Sequence, residues 1–289
     1  MATESPAYEI DTQDVEYLHH DGKPLLARLY RPRGKGPFPA IVEAHGGAWC
    51  LGDRLSDAPL NEALARNGIV VAALDFRVPP AAGYPASLAD INYGVRWFKT
   101  HAEEYGSDPS QVGIMGSSSG GHQAMLAAMR PHDPRYSALP LPIEGVADGG
   151  VRFAVLLWPV IDPLGRYRYA KQLKASGAPY PKFVDLVLPL HDKYWSSEAA
   201  MEEGNPALAL VRHERVQLPP VLYIQGADDI VHPRKDLDRF VMNYHEAGGY
   251  LDLALFEDAA EGFIIRKPGS QAAADAIAKI TAFVRTHTP

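Results

Sequence analysis

Val112-Gly113-Ile114-Met115-Gly116-Ser117-Ser118-Ser119-Gly120-Gly121-His122, running on through the alanine-rich Gln123 to Met129, is the stretch that decides the fold. Val112 to Met115 is a short apolar run of the kind buried on both faces of a parallel sheet. The serines and glycines form a tight turn, and a helical segment follows at once. Residues 116 to 120 satisfy G-x-S-x-G with Ser118 at the centre. Small residues on either side let the backbone turn sharply, which lifts the Ser118 hydroxyl above the sheet and toward the positive end of the next helix. A serine so placed is a candidate nucleophile.

The same alternation extends in both directions. Upstream, Val15 to Leu18 and Leu25 to Tyr30 flank the turn Asp21-Gly22 and read as an antiparallel hairpin. Ala40 to Ala44 and Ile69 to Leu74 are buried strands. Between them a helix runs from Ser56 through Leu60, Ala63 and Leu64 to Asn67-Gly68. A second helix spans Ser87 to Tyr105. Downstream, Phe153 to Trp158, Val221 to Gln225 and Leu251 to Phe256 supply three more strands, and Ser270 to Arg285 a terminal helix. Strand and helix alternate, so the expected fold is α/β, with a mostly parallel central sheet flanked by helices. The expected organisation is a single domain over residues 1–289. The long gap between the strands at Phe153 and Val221 exceeds a simple crossover and carries its own helical segments, Phe183 to Leu190 and Ser196 to Glu203. Residues 162–215 are therefore expected to form a helical lid insertion.

The 289 residues are 46% hydrophobic and 22% charged, ordinary values for a folded globular chain. A net charge of −7 without a basic cluster argues against nucleic acid as a partner. No apolar run is long enough to span a bilayer. The one cysteine, Cys50, has no internal disulfide partner and reads as a small buried residue; the N-terminal MATESPAYEI lacks the basic start and apolar run of a signal peptide. Cytoplasmic location is the expectation. His19-His20 precedes a turn, and no metal-ligand spacing appears, so neither metal nor cofactor is expected. A small-molecule substrate is, with homo-oligomerisation left open.

A second glycine loop, His45-Gly46-Gly47-Ala48-Trp49, follows the strand Ala40 to Ala44 and lies beside the elbow. Gly47, Ala48 and Ser119 are the candidate amide donors for an oxyanion, with Gly46 making the turn.

These motifs resemble the α/β-hydrolase superfamily, in its esterase/lipase branch of hormone-sensitive-lipase-like and kynurenine-formamidase-like enzymes. His45 to Trp49 resembles the HGGxW loop, Asp75-Phe76-Arg77 and Tyr84-Pro85-Ala86 the DYR and FPA segments, and Ser118 to His122 the SAGGH elbow. Asn205-Pro206, Leu218-Pro219-Pro220-Val221 and Gly226-Ala227-Asp228-Asp229 resemble the approach to the family's acid. The resemblance implies a serine hydrolase of carboxylic esters, or of a related amide or lactone, with Ser118 as nucleophile, Asp229 as acid and the order Ser, Asp, His along the chain. It also exposes a departure. Where the family carries its histidine in an H-G-F context, this chain has Glu261-Gly262-Phe263.

Glu261 is accordingly the expected, atypical base. His122, one helical turn beyond Ser118, is read as a packing or capping residue, and His232, three residues after Asp229 on the acid loop, as a surface residue, with a substitute base at the pocket rim as its alternative. Trp49, Tyr167, Tyr169, Phe183 and Trp195 are the pocket candidates. A displaced base leaves two alternatives: a lyase, dehydratase or cyclase using Glu261 as acid/base on the same fold, and an inactive binding protein.

Overall fold

The computed structural model describes residues 7–142 and 148–288. Residues 1–6, part of the N-terminal stretch behind the expected location, lie outside them. Strands β1 (Ile10–His20) and β2 (Lys23–Pro32) form the expected hairpin, its turn made by Asp21 and Gly22, both at positive φ. Then come β3 (Phe38–Ala44), α1 (Ala58–Arg66), β4 (Val70–Leu74), α2 (Ala86–His101), β5 (Ser107–Ser117), α3 (Ser119–Met129) and β6 (Ala154–Leu157). Four helices follow, α4 (Pro163–Ala175), α5 (Phe183–Tyr194), α6 (Glu198–Glu203) and α7 (Pro206–Val211). The chain closes with β7 (Val221–Gly226), α8 (Arg234–Glu246), β8 (Leu251–Phe256), α9 (Phe263–Arg266) and α10 (Gln271–His287).

The eight strands form one sheet in the order β1-β2-β4-β3-β5-β6-β7-β8. β1 pairs with β2, and β2 with β4, antiparallel; every later pairing is parallel. The two-residue alternation of side chains sorts each strand between two cores. Ala40, Val42, Val70, Ala72, Val221 and Tyr223 face the core packed by α2, α3 and α8; Ile41, Val71, Ala73, Leu222 and Ile224 face the one packed by α1 and α10. Burial on both faces explains why these strands read as continuous apolar runs.

This wrapping sends every parallel strand's C-terminal end to the same edge of the sheet, where loops that are far apart in sequence converge. The loops after β3, β5, β7 and β8 carry His45 to Cys50, Ser118, Asp229 to His232, and Glu261. The α4 to α7 insertion begins with Asp162 as N-cap, its carboxylate accepting the Gly165 amide at 2.7 Å. No helix among the described residues is long and apolar enough to cross a membrane.

Candidate active site

Ser118 sits at the β5–α3 junction with φ 50° and ψ −116°. A non-glycine residue in that region costs on the order of 1–3 kcal/mol and persists when its surroundings over-determine it. Here the Ser118 amide donates to the Leu157 carbonyl at 2.9 Å, and the Ser118 carbonyl accepts from the amides of Val160 at 3.0 Å and His122 at 3.2 Å. The next turn has no room for a side chain at Gly120, whose absent Cβ would collide with the carbonyl oxygens of Ala44 and His45. The elbow is thus clamped between the ends of β3 and β6.

The group facing Ser118 is a histidine. His232 Nε2 lies 3.2 Å from Ser118 Oγ, and His232 Nδ1 lies 2.9 Å from Asp229 Oδ2. Asp229 Oδ1 accepts the amides of Val231 at 2.8 Å and His232 at 3.0 Å, so one carboxylate both folds the loop and orients the ring. Burial pushes the Asp229 carboxyl up, but the adjoining His232 and these hydrogen bonds outweigh it and hold the group below its ordinary value of 3.8. An ionised Asp229 accepts a hydrogen bond from Nδ1–H, which fixes the proton on Nδ1 and leaves the Nε2 lone pair toward the serine. The His232 carbonyl is tied back to Gln225 Nε2 at 3.0 Å.

Two sequence expectations change. His232 is not a surface residue: it is 3% exposed and hydrogen-bonded to both Ser118 and Asp229. Glu261 is not the group against Ser118. It lines the same cavity, but its carboxylate is held by Arg266 Nη2 at 2.5 Å, and among the described residues no hydrogen bond joins it to Ser118, His232 or Asp229. The physical reason is loop geometry, since a D-x-x-H turn after β7 brings acid and imidazole together within one Asx-type turn and needs nothing from the loop after β8. The three hydrogen-bonded residues, Ser118, Asp229 and His232, follow one another in that order along the chain. The visible signal was Asp229-Ile230-Val231-His232 itself, at a spacing that lets a side-chain carboxylate bond the amide and ring three residues on.

Gly46, Gly47 and Ala48 line the cavity beside Ser118. Gly47 has φ 110°, and a Cβ there would strike the Leu51 carbonyl, which is why the turn carries glycine. The amides of Gly47 and Ala48 have no protein acceptor among the described residues, whereas the Trp49 amide donates to Ser119 Oγ at 3.0 Å. Ser119 opens α3, where first-turn amides lack intrahelical acceptors. His45 is stacked on Phe76 with ring centres 4.1 Å apart, and burial pushes its pKa down. His122 accepts from Trp49 Nε1 at 3.1 Å and donates through Nε2 to the Gly204 carbonyl at 2.7 Å. Burial brings it down to about 4, so it stays neutral and committed to packing.

Beneath the elbow lies a buried carboxyl pair that the sequence reading did not single out. Ser117 Oγ donates to Asp57 Oδ2 at 2.7 Å, and Glu43, wholly buried, hydrogen-bonds Asp57. Burial, and then the charge of Asp57, push Glu43 well above the carboxylate range, so Glu43 keeps its proton and donates it to Asp57.

The cavity over Ser118 has a volume of about 470 Å³. One wall is a stripe of α5, Phe183, Leu186, Val187 and Leu190, at the spacing of a single helix face. Phe183 is thus where the sequence placed it. Trp49, Tyr167, Tyr169 and Trp195 do not line this cavity. Trp49 stacks on Tyr194 at 5.5 Å and meets Trp195 edge-on; Tyr167 bonds Asp192 at 2.8 Å; Tyr169 lies beneath Lys235 Nζ at 5.1 Å. These rings fix the insertion helices to the body and to one another. Arg166, which the sequence reading passed over, does line the cavity. Its neighbour Tyr167 points about 100° away around the helix.

Comparisons with known proteins agree with this architecture. The BD-FAE family model matches residues 28–148. The probable carboxylic ester hydrolase LipM of Mycobacterium tuberculosis is 30% identical over 209 residues, 71% of this chain and 44% of that protein. The probable isoprenylcysteine alpha-carbonyl methylesterase ICME of Oryza sativa subsp. japonica is 36% identical over 246 residues, 79% of this chain and 53% of that protein. The chain spans about half the length of these curated relatives. Among solved structures, a Pyrobaculum calidifontis esterase superposes with a TM-score of 0.76 at 23% identity, covering 97% of this chain and 86% of that one. A propionate-bound thermophilic esterase, Est2 of Thermogutta terrifontis, does so with a TM-score of 0.72 at 25% identity, covering 98% and 96%. With its sheet order, its serine elbow and these likenesses together, the chain belongs to the α/β-hydrolase superfamily, on the esterase/lipase branch.

Proposed function

We propose that the protein hydrolyses carboxylic esters of small molecules through an acyl-enzyme on Ser118, with His232 as base and Asp229 as its orienting acid. The observation that carries the reading is the hydrogen-bonded chain Ser118–His232–Asp229 at 3.2 and 2.9 Å, opening on a cavity of about 470 Å³. Serine is a poor nucleophile until a neighbour accepts its proton, and His232 Nε2 stands where that proton leaves. As Oγ attacks the ester carbonyl, Nε2 takes the proton, and Asp229 stabilises the imidazolium without being protonated itself. The carbonyl oxygen becomes an oxyanion beside the amides of Gly47, Ala48 and Ser119. Collapse expels the alcohol, protonated by His232. Water, activated by the same nitrogen, then releases the acid and restores Ser118. The α4 to α7 insertion supplies the apolar α5 wall and acts as the lid over the acyl and alcohol groups.

The lyase, dehydratase or cyclase alternative requires a free carboxylate at Glu261, and the 2.5 Å pairing with Arg266 disfavours it. Turnover of 4-nitrophenyl butyrate by the protein, together with labelling of Ser118 by a fluorophosphonate located by peptide mass spectrometry, tests the reading. Absence of both overturns it.

A further inference from the structure

Arg166 occupies the first turn of α4, is 2% exposed, and lines the same cavity as Ser118. Its Nε and Nη2 have no hydrogen-bond partner among the described residues. What it touches is aromatic, with the guanidinium carbon 5.3 Å from the Trp49 ring centre. A buried cation ordinarily pairs with a carboxylate, because neither low-polarity surroundings nor a ring face replaces the hydrogen bonds lost from water.

The acidic groups nearby are all taken. Asp162 accepts from the Gly165 amide, from Asn205 and from Arg239. Asp229 is filled by His232 and two amides, and Glu261 by Arg266. Asp57 is bonded to Ser117 and to Glu43, and Asp236 faces Arg239. Burial lowers Arg166 to about 10, with Asp229, Glu261 and Asp236 acting against that fall, so the side chain remains a cation at neutral pH. The cavity that Ser118 lines therefore holds one uncompensated positive charge in its wall, together with the apolar Phe183, Leu186 and Leu190.

We propose that Arg166 binds a carboxylate carried by the ester substrate, so that the protein selects monoanionic esters over neutral esters of the same size. A guanidinium presents paired N–H groups in the geometry of a carboxylate, and a single cation matches a single negative charge rather than a phosphate dianion. The inference rests on the ester-hydrolase reading for the site and names the class of substrate it takes. The carboxylate can belong to the acyl half, as in a half-ester of a dicarboxylic acid, or to the alcohol half, as in an acylated hydroxy acid.

Two matched pairs separate these sources. Mono-4-nitrophenyl succinate against 4-nitrophenyl butyrate reads an acyl-side carboxylate; 4-acetoxybenzoate against its methyl ester reads an alcohol-side one. In at least one pair the unmutated protein should prefer the anion in kcat/KM by about tenfold or more, and Arg166→Met should lower that ratio by a similar factor, chiefly through KM. Arg166→Lys should retain part of the preference. Equal rates in both pairs, or a preference that survives Arg166→Met, overturn the proposal while neutral-ester turnover leaves the hydrolase reading standing. Should Arg166→Met fail to fold, the unfolding midpoint of the unmutated protein decides: the monoanion glutaramate should raise it and the neutral diamide glutaramide should not. Equal shifts, or none, overturn the proposal, and this readout does not depend on turnover.

Discussion

The Asp229 carboxylate and the His232 ring, three residues apart on one loop, meet at 2.9 Å, and that contact turns the imidazole toward Ser118. Carboxylate and imidazole therefore move as a unit. Asp229→Asn should keep the loop folded, because the amide oxygen can still accept from Val231 and His232, but it should favour the wrong ring tautomer. A fall in kcat of roughly a hundredfold to ten-thousandfold is expected, with little change in KM. Steady-state kinetics on 4-nitrophenyl butyrate check this, and a loss confined to KM would count against it.

The same contact carries an acid sensitivity. Asp229 is held below its ordinary 3.8, so its contribution to stability is present above that pH and is lost as pH falls through the lower, folded-state value. The gap in urea-unfolding free energy between the parent and Asp229→Asn should be steady near neutrality and narrow below about pH 4.

Glu43 behaves oppositely. Its carboxyl is raised, so the protonated form stabilises the fold at low pH and that contribution is lost as pH rises through the folded-state value. Glu43→Gln keeps a donor toward Asp57 and cannot ionise. Its melting temperature relative to the parent should rise progressively as pH climbs above the ordinary carboxylate range. A difference that stays constant over that climb would show that Glu43 ionises in the fold as readily as in the unfolded chain, so that its carboxyl is not raised.

Gly120→Ala tests the elbow's packing. The new Cβ would meet backbone carbonyls of Ala44 and His45, which cannot swing aside as a flexible side chain can. Destabilisation on the order of 3 kcal/mol is expected by urea unfolding, against less than about 1 kcal/mol for Ser118→Ala, whose φ is unchanged. Ser118→Ala should at the same time abolish fluorophosphonate labelling.

The sheet was legible because its strands are buried on both faces, and a run such as Ile69 to Leu74 has few other readings. Helix α10 was equally plain, with Ser270 capping the Ala273 amide at 3.2 Å. Helix α4 was not visible. Pro163-Leu164-Gly165-Arg166 carries a glycine and a charge where an amphipathic pattern would be sought, and tertiary packing outweighs propensity there. The elbow around Ser118 and the glycine loop are local motifs and could be read directly. The imidazole beside Ser118 could not, because the family's histidine position after β8 points to Glu261, while the partner of Asp229 lies three residues away in a pattern whose meaning depends on the turn being closed. Arg166 was missed for a related reason: its burial is imposed by Trp49 and α5, which only the folded chain brings to it.

Replacing the two rival bases in parallel is the most direct measurement of the central claim. His232→Gln and Glu261→Gln should each be assayed for kcat/KM on 4-nitrophenyl butyrate, with circular dichroism and unfolding midpoints confirming that both are folded. General-base assistance is worth roughly a hundredfold to ten-thousandfold, so His232→Gln should fall by at least a hundredfold and Glu261→Gln by less than about tenfold. A folded His232→Gln variant that keeps activity within tenfold of the parent, or a Glu261→Gln variant that falls as far as His232→Gln, would contradict the account.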